Sequence, residues 1–368
     1  MQNIFPLMLA LFLSLICGFL FIPTILDFCK KRQLYDFPNQ RKMHHTLVPR
    51  LGGIAFLPSM LFAFFIAINA MGIDQQNQKI SINVWSMGFM VSLLLIYGIG
   101  IIDDITGLGA KTKFTVQAIS ASILPMCGLY INNLFGFLGI YEIPYYIGFP
   151  LTAIVIVFID NAINLIDGID GLAASLSILS LLGFLYGFMT EGLLVYSVLI
   201  SGLIGILISY LYFNIWGKEE KNRKIFMGDS GSLTLGFILG FLFVKFSMDN
   251  PEVMLFSNER IVYAYTLLIV PNFDVVRLIF VRLSHHKSPF QADKNHIHHK
   301  LMKIGLTQHQ SLVAILGIAI MYIILNFSIY KWVGITWLVV IDALIFIGIQ
   351  TTITHLIHKR GIKTGIHE

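Results

Sequence analysis

Apolar runs of membrane-spanning length recur along the whole sequence, and they limit the fold more than any other feature. The 368 residues are 56% hydrophobic and 12% charged, with a mean hydropathy of +0.78, whereas a soluble domain carries roughly 25% charged residues. Each run can cross the hydrocarbon core as a helix. We therefore predict an all-α integral membrane protein, with residues 1–368 forming a single polytopic domain, because no polar stretch is long enough for a separate soluble domain.

The positions of these runs predict about eleven membrane spans. In chain order they cover residues 4–26, 51–73, 84–102, 114–134, 145–159, 172–190, 193–215, 231–248, 261–283, 312–330 and 333–353. Most of the 25 lysine and arginine residues fall on one side of this arrangement, which the positive-inside rule assigns to the cytoplasm. The N-terminus is then outside and the C-terminus cytoplasmic. The net charge of +5 faces the anionic leaflet and an anionic substrate, and it gives no reason to invoke nucleic acid.

The chemically unusual clusters all fall in predicted cytoplasmic loops, at about residues 27–50, 103–113, 160–171, 216–230 and 284–311. Residues 161–172 read Asn-Ala-Ile-Asn-Leu-Ile-Asp-Gly-Ile-Asp-Gly-Leu, and carboxylates at the mouth of a span mark a functional site by default. If this stretch is helical, one face carries the following residues: Asp160, Asn164, Asp167 and Gly171. Oxygen ligands without cysteine or histidine suit Mg²⁺ or Mn²⁺ better than zinc. A polar loop that caps two helices is the alternative.

Two adjacent carboxylates, Asp103 and Asp104, end the third predicted span. Because like charges repel, one of them is expected to bind a cation or to hold a proton. Lys113 and Gln117 follow, four residues apart on one predicted helix face. A helix cap is the alternative, although a cap needs only one aspartate.

Two further clusters could hold phosphate. Residues 226–233 read Phe-Met-Gly-Asp-Ser-Gly-Ser-Leu at the start of a span, where free amides and the Asp229 carboxylate suit a metal-bound phosphate. An ordinary N-cap explains Asp229 or Ser230 almost as well. Arg41 and Lys42 precede a Gly-Gly turn, and two adjacent cations there could hold a phosphate. Positive-inside charge alone is the alternative for this pair.

The last cluster is rich in histidine. His296, His298 and His299 lie within four residues, and three imidazoles could bind zinc. No cysteine or spaced fourth ligand supports zinc, and imidazoles that donate to phosphate oxygens fit better beside so many cations. Asp274, Arg277 and Arg282 end the preceding span and belong with this loop. The alternative for Asp274 is an ion pair with Arg277.

Together and in this order, the clusters resemble the motifs of one enzyme family. The marks are Asp103-Asp104, the stretch 161–171, the sequence Met-Gly-Asp-Ser-Gly-Ser and the sequence His-Ile-His-His. They resemble the polyprenyl-phosphate N-acetylhexosamine-1-phosphate transferases of the glycosyltransferase 4 family, over about residues 30–305. The nearest branch is similar to the undecaprenyl-phosphate N-acetylglucosamine-1-phosphate transferases. The related phospho-MurNAc-pentapeptide translocases usually carry three consecutive histidines, and His-Ile-His-His departs from that pattern.

The resemblance implies a reaction and its participants. A UDP-N-acetylhexosamine would give its sugar 1-phosphate to undecaprenyl phosphate and release UMP, at the bacterial inner membrane, with Mg²⁺ as cofactor and Mn²⁺ as an alternative metal. Partners are then the nucleotide sugar, the polyprenyl phosphate and the bilayer, and a homodimer is left open.

The resemblance also implies residue roles. Asn164 and Asp229 would hold the metal, and Lys113 would take phosphate oxygens. Asp103 and Asp104 would act as a base or position the lipid phosphate. The remaining substrate-binding candidates are Asn161, Asp167, Asp170, Arg41, Lys42, Arg277, Arg282, His296, His298 and His299.

Two alternatives to this reading remain. The first is a transferase of the MurNAc-pentapeptide type. The second, from another class, is a proton- or cation-coupled transporter, which would place polar residues near the bilayer midplane and use broken helices. The acids here gather at one surface and the sequence shows no internal repeat, which favours an enzyme.

Overall fold

A bundle of long helices accounts for almost all of the computed structural model. The structure describes residues 4–36, 48–74, 83–218, 223–250, 259–288 and 295–360. The helices in these ranges are α1 (Ile4–Arg32), α2 (Phe56–Asp74), α3 (Val84–Thr106), α4 (Ala110–Met126), α5 (Tyr145–Ile166), α6 (Leu172–Thr190), α7 (Leu194–Ile215), α8 (Gly228–Ser247), α9 (Glu259–Leu267), α10 (Ile269–Ser284), α11 (Ile297–Lys303) and α12 (Gln308–Lys359). A 3₁₀ turn at Gly52–Ala55 leads into α2. The predicted all-α membrane class is confirmed.

Within the described ranges, eight helices are long and apolar enough to cross a membrane, or nine if α9 and α10 form one span. The axes of α9 and α10 differ by 73° across a one-residue break, where one continuous span over residues 261–283 was predicted. The count of about eleven spans therefore stays a prediction.

Helix α12 is 52 residues long, far more than the roughly 20 residues that one crossing needs. Its backbone leaves the helical region at Gly334, where φ is 72° and ψ is 162°. A residue without Cβ adopts this positive φ at little cost. The Asn326 side chain on one side of the break donates a hydrogen bond to the Asp342 side chain on the other, at 2.9 Å. The two halves are therefore folded back on each other as a helical hairpin, with its turn at Gly334.

Among the described residues, four short strands depart from the all-helical prediction. β1 (Tyr35–Asp36) pairs with β2 (Val48–Pro49), and β3 (Asn133–Phe137) pairs with β4 (Ile140–Glu142), both antiparallel. The predicted span over residues 114–134 was thus too long, because α4 ends at Met126 and a tight turn and hairpin follow. Gly128, with a positive φ of 87°, ends the helical path there.

Helix α8 is the centre of the bundle, and 94% of its most apolar window is buried. It packs against α3 and α5 through residues small enough for close backbone approach, as is common between membrane helices. A Cβ atom on Gly236 would lie 2.7 Å from the Cα of Asp160 on α5, and one on Gly100 of α3 would lie 2.6 Å from the Cα of Ser230. These contacts set the first turn of α8 beside the ends of α3 and α5, where the polar motifs lie.

Candidate active site

A lysine joins two aspartates at one end of the bundle. The Lys113 ammonium lies 2.8 Å from Asp229 Oδ2 and 3.2 Å from Asp103 Oδ2. Lys113 stands in the first turn of α4, Asp103 near the end of α3 and Asp229 in the first turn of α8. The side chains of Lys113 and Asp229 are each 25% exposed, so a soluble substrate can reach them. Both charges are therefore held in fixed positions and remain accessible.

Asn164 completes this group from α5. Its Nδ2 donates to Asp229 Oδ1 at 2.8 Å and to Ser232 Oγ at 2.8 Å. Asp229 thus accepts from an amide on one oxygen and pairs with Lys113 on the other. Side chains from two other helices, α4 and α5, fix this one carboxylate, an arrangement expected of a group whose position matters for chemistry.

Asp104 has a different role from its neighbour Asp103. Its two carboxylate oxygens accept the backbone N–H groups of Asp229 at 2.8 Å and of Ser230 at 2.9 Å. It therefore caps α8 from a distant helix, satisfying donors that a helix N-terminus leaves unpaired. Gly228 makes this approach possible, because a Cβ there would lie 2.5 Å from Asp104 Oδ2 and its φ is +71°. The N-cap that the sequence suggested for α8 comes from Asp104, whereas Asp229 and Ser230 donate their amides.

A second polar layer lies deeper between α4 and α5. Gln117 Nε2 donates to Asp160 Oδ2 at 3.0 Å, and Asn161 Nδ2 donates to Gln117 Oε1 at 3.2 Å and to the Val157 carbonyl at 2.8 Å. Asp160 is buried. Asn161 therefore lies half-buried in this layer, on an amide network that supports the helix pair.

The loop after α5 corrects the prediction of one continuous helical face. Helix α5 ends at Ile166, so Asp167, Asp170 and Gly171 lie outside it. Asp170 forms an ion pair with Lys224 at 2.7 Å. Asp167 is half-buried; burial first, and then the charges of Asp229, Asp170 and Asp104, raise its pKa to about 7. We call Asp103, Asp104, Asp167, Asp170 and Asp229 the acid cluster.

Asn214 holds this loop in place, and the sequence motifs did not reveal it. Its Oδ1 accepts the Gly171 N–H at 2.6 Å and its Nδ2 donates to the Ile225 carbonyl at 2.9 Å. The bond ties the loop after α5 to the segment that leads into α8. Its one sequence signal is a polar residue at the end of an otherwise apolar run.

Asp274 organises the histidine motif from α10. It is fully buried, and its carboxylate lies 2.8 Å from His296 Nδ1, 3.1 Å from the Ile297 nitrogen and 3.2 Å from Arg277 Nη2. Arg277 Nη2 also donates to the Asn295 carbonyl. The suggested ion pair of Asp274 with Arg277 is present, and both residues also fix the entry into α11.

His298 links the histidine motif to the loop after α5. A Cβ on Gly168 would lie 2.2 Å from His298 Nε2, so only glycine allows this packing. Burial, and then His299 and His296, lower the pKa of His298 to about 3. Neither ring nitrogen has a hydrogen-bond partner among the described residues, so the neutral imidazole has a donor to offer. The His299 ring centroid lies 4.2 Å away.

The remaining predicted binding residues are Arg282, Arg41 and Lys42. Arg282 is buried near the end of α10. Arg41 and Lys42 lie outside the described residues. Lys300, which the prediction left out, anchors α11 to α12 through hydrogen bonds of 3.1 Å to Gln350 Oε1 and 3.1 Å to Thr354 Oγ1.

The chemistry of the donor set fits a magnesium ion better than zinc. In the described part of the chain, no three histidine, cysteine or acidic side chains are grouped as a metal cluster. Mg²⁺, however, usually takes one or two carboxylates and completes its shell with water and substrate phosphates. Asp229 and Asp103, with the Asn164 amide, are such a set. The pKa of Asp167 is raised partly by the charge of Asp229, a sign of excess negative charge that a cation would offset.

The fold and this assembly define an integral membrane protein whose site carries carboxylates, a lysine and histidines for anionic substrates. The model of glycosyl transferase family 4 matches residues 86–247. A probable undecaprenyl-phosphate N-acetylglucosaminyl 1-phosphate transferase of Bacillus subtilis is 30% identical over 98% of this chain and 95% of its own length. The chain belongs to glycosyl transferase family 4, and the family predicted from the motifs is confirmed.

Two further relatives carry similar names. The undecaprenyl-phosphate alpha-N-acetylglucosaminyl 1-phosphate transferase of Escherichia coli K12 is 30% identical over 82% of this chain and 79% of its own. The decaprenyl-phosphate N-acetylglucosaminephosphotransferase of Mycobacterium tuberculosis is 32% identical over 81% of this chain and 73% of its own. The chain is thus an enzyme of the transferase class.

Proposed function

We propose that this protein transfers N-acetylglucosamine 1-phosphate from UDP-N-acetylglucosamine to undecaprenyl phosphate and releases UMP. The observation that carries the proposal is the group in which Lys113 bridges Asp103 and Asp229 while Asn164 holds Asp229. The names of the three relatives described above support the donor sugar and the polyprenyl acceptor.

The reaction joins two anions, so alignment and charge neutralisation are the main needs. An oxygen of the lipid phosphate attacks the phosphorus that carries the sugar, and the bond from that phosphorus to the UMP oxygen breaks. Without substrate, the Lys113 ammonium pairs with two carboxylates. When substrate binds, the same ammonium also interacts with the phosphate oxygens. It lowers the cost of bringing the two anions together.

Asp229, Asn164 and Asp103 would hold the Mg²⁺. A bound Mg²⁺ supplies neutralisation of the diphosphate charge. Mn²⁺ has the same preference for oxygen ligands and is the alternative. Asn164 keeps Asp229 from rotating, since its amide holds Asp229 Oδ1 at 2.8 Å.

The two adjacent aspartates divide their work. Asp104 has both oxygens engaged by α8 amides, so it positions Asp229. Asp103 accepts the Leu108 N–H on Oδ1 and pairs with Lys113 on Oδ2, which leaves it near the charges that the substrates bring. A phosphate monoester is already largely ionised near neutral pH, so a strong base is unnecessary, and Asp103 acts by holding Lys113, which positions the lipid phosphate.

The nucleotide sugar binds between the histidine motif and the residues at and after the end of α5. His298 is neutral at physiological pH, because its pKa is about 3, and it donates one N–H to a phosphate oxygen. His299 lies beside it. Asp170, kept in place by Lys224, and Asp167 and Asn161 line the approach to the uridine.

The membrane arrangement follows from this chemistry. UDP-sugars are cytosolic, so the acid cluster faces the cytoplasm of a bacterial inner membrane, with the N-terminus outside. Counting the α12 hairpin as two spans, α9 with α10 as one and α4 as one brings the helices to the predicted number of about eleven. The homodimer stays a prediction of the family resemblance.

A MurNAc-pentapeptide donor is the second candidate. The sequence His-Ile-His-His departs from the three consecutive histidines usual in that branch, and the relatives' names support N-acetylglucosamine instead.

The test uses the purified full-length protein with Mg²⁺, undecaprenyl phosphate and a panel of UDP-sugars, and it measures UMP release. We expect UMP to form with UDP-N-acetylglucosamine, and to depend on both the lipid and the metal. No UMP with any UDP-N-acetylhexosamine would refute the proposal. Activity confined to UDP-MurNAc-pentapeptide would favour the second candidate.

A further inference from the structure

A carboxylate lies deep in the bundle, away from the acid cluster. Asp342 is on the second half of α12, eight residues after the turn at Gly334, or about 12 Å along the helix. It has no exposed surface. That depth is about the middle of a bilayer core, where an ionisable residue is costly and by default functional. The proposed transfer reaction makes no use of it.

Two neutral side chains donate to this carboxylate, and two more belong to the network around it. Asn326 Nδ2 and the Tyr265 hydroxyl donate to Asp342 Oδ2 at 2.9 Å and 3.1 Å, and the Tyr322 hydroxyl donates to the Asp342 carbonyl at 3.1 Å. Asn326 Nδ2 also donates to Thr266 Oγ1 at 2.9 Å. The network thus joins both halves of α12 to the last turn of α9, directly before the 73° bend.

Two oxygens in this network have no hydrogen-bond partner among the described residues. They are Asp342 Oδ1 and Asn326 Oδ1, and both are buried. The Asn326 amide donates to both Asp342 Oδ2 and Thr266 Oγ1, and reversing it would set its oxygen against Oδ2 of an ionised carboxylate. A buried acceptor without a donor costs on the order of 1–3 kcal/mol. Both orphaned atoms are acceptors, so a positive or donating species fits them.

The charge of Asp342 is also uncompensated. None of the salt bridges within the described ranges involves Asp342, and the residues of its network, Tyr265, Asn326, Thr266 and Tyr322, are neutral. A lone carboxylate in a low-dielectric interior is unfavourable unless it is neutralised. The carboxylate therefore needs a proton or a counter-ion, and a cation would also satisfy the partnerless oxygens of Asp342 and Asn326.

We propose that Asp342 and Asn326 bind a small monovalent cation of the sodium class, which bridges the α12 hairpin and the end of α9. One carboxylate and one monovalent cation sum to zero charge, whereas a divalent cation would leave a buried positive charge. The ligands are hard oxygens, which suit such an ion. The site is separate from the proposed Mg²⁺ position, and it stabilises the hairpin against the helix whose bend leads to Asp274 and the histidine motif.

Thermal unfolding of the full-length protein in detergent tests this site. Tm is measured in NaCl and in N-methyl-D-glucamine chloride at equal ionic strength. The wild type should gain a few degrees, saturably, in sodium. Asp342→Asn should lose this gain, because the amide keeps the shape and removes the charge. Asp27→Asn is the matched control, since Asp27 is exposed on α1 and pairs with Lys30, and it should respond as the wild type does.

Binding of ²²Na⁺ to the wild type gives a second measurement that does not depend on any variant folding. We expect saturable binding of one ion per chain, displaced by unlabelled Na⁺ and lost in Asp342→Asn. Asn326→Ala, which removes one orphaned oxygen and keeps the carboxylate, should weaken binding by roughly tenfold. A wild-type Tm that is equal in the two salts, with no saturable ²²Na⁺ binding, overturns the proposal and assigns a proton to Asp342. Sodium-dependent stability that persists in Asp342→Asn also overturns it.

Discussion

The acid cluster and the network around the single carboxylate of Asp342 lie in one bundle, and they differ in almost every physical respect. Asp229 is 25% exposed in its side chain and lies 2.8 Å from a lysine, whereas Asp342 is fully buried among neutral partners. Water and ligands can reach the acid cluster, so its charged groups can bind and release a substrate. Asp342 is closed to a molecule of substrate size, because it has no exposed surface. The position of a carboxylate relative to the membrane surface thus separates a site for turnover from a site for stability.

This comparison also bears on the transporter alternative. That reading expected polar residues near the midplane and broken helices, and the sequence showed acids only at one surface. Asp342 and the bend between α9 and α10 are such features. The expectation that the acids gather only at the surface was therefore incomplete, although the family membership supports an enzyme.

Replacing Asp229 by Asn should have the largest effect. It removes one charge from the proposed metal site without a change of shape, so kcat should fall roughly 10²–10³-fold while the protein still folds. UMP release, measured over a range of Mg²⁺ concentrations, gives the effect. The sodium dependence of Tm should remain in this variant, since the Asp342 network is untouched. Normal turnover at low Mg²⁺ would contradict the ligand assignment.

Replacing Lys113 by Ala should lower kcat/KM by roughly 10²-fold, because Asp103 and Asp229 would then meet the substrates without a shared cation. The measurement is steady-state kinetics in both substrates. Lys111→Ala is the control, since that side chain is on the same helix and exposed. If Lys113→Ala and Lys111→Ala behave alike, Lys113 only contributes to membrane topology.

Replacing Asp104 by Ala should destabilise the protein by about 3 kcal/mol, because two amides of the first turn of α8 lose their acceptor. Asp103→Ala removes one amide contact and should lower Tm less. Thermal unfolding of both variants provides the comparison, and rescue of activity by Asp104→Glu would support a positioning role. Equal Tm losses in the two variants would show that the division between these aspartates is wrong.

We expect the smallest effect from His298, whose protonation should lower the stability of the protein in acid. Its pKa is about 3 in the folded protein against about 6.5 unfolded, so below pH 6.5 the unfolded chain takes up a proton that the native state does not. Stability should fall by about 2 kcal/mol between pH 7 and pH 5 from this residue. His298→Gln should remove that part of the loss in a comparison of Tm at the two pH values. An identical pH dependence in wild type and variant would mean that His298 is protonated in the fold.

Much of the fold and site could be predicted from the sequence because the signals are local. Apolar run length indicates a membrane helix, and clustered acids between runs indicate a site. Asp103, Lys113, Asn164 and Asp229 were named in this way, and they lie together in the structure. Breaks inside apolar runs were harder to place. The one signal of the 73° bend in the run over residues 261–283 is Pro271, which has no N–H to donate to the carbonyl of Leu267, where α9 ends.

Only the tertiary structure determines which residue contacts which distant neighbour. Adjacent in sequence, Asp103 and Asp104 have the same chemistry, and only the packing of α3 against α8 turns one to Lys113 and the other to the α8 amides. Asn326 and Asp342 are likewise two polar residues in apolar runs until the turn at Gly334 brings them together. Hydropathy and motif spacing are properties of neighbours along the chain, so the sequence determined the class, the family and the candidate residues. Contacts between distant segments depend on how the helices pack, so only the tertiary structure could show them.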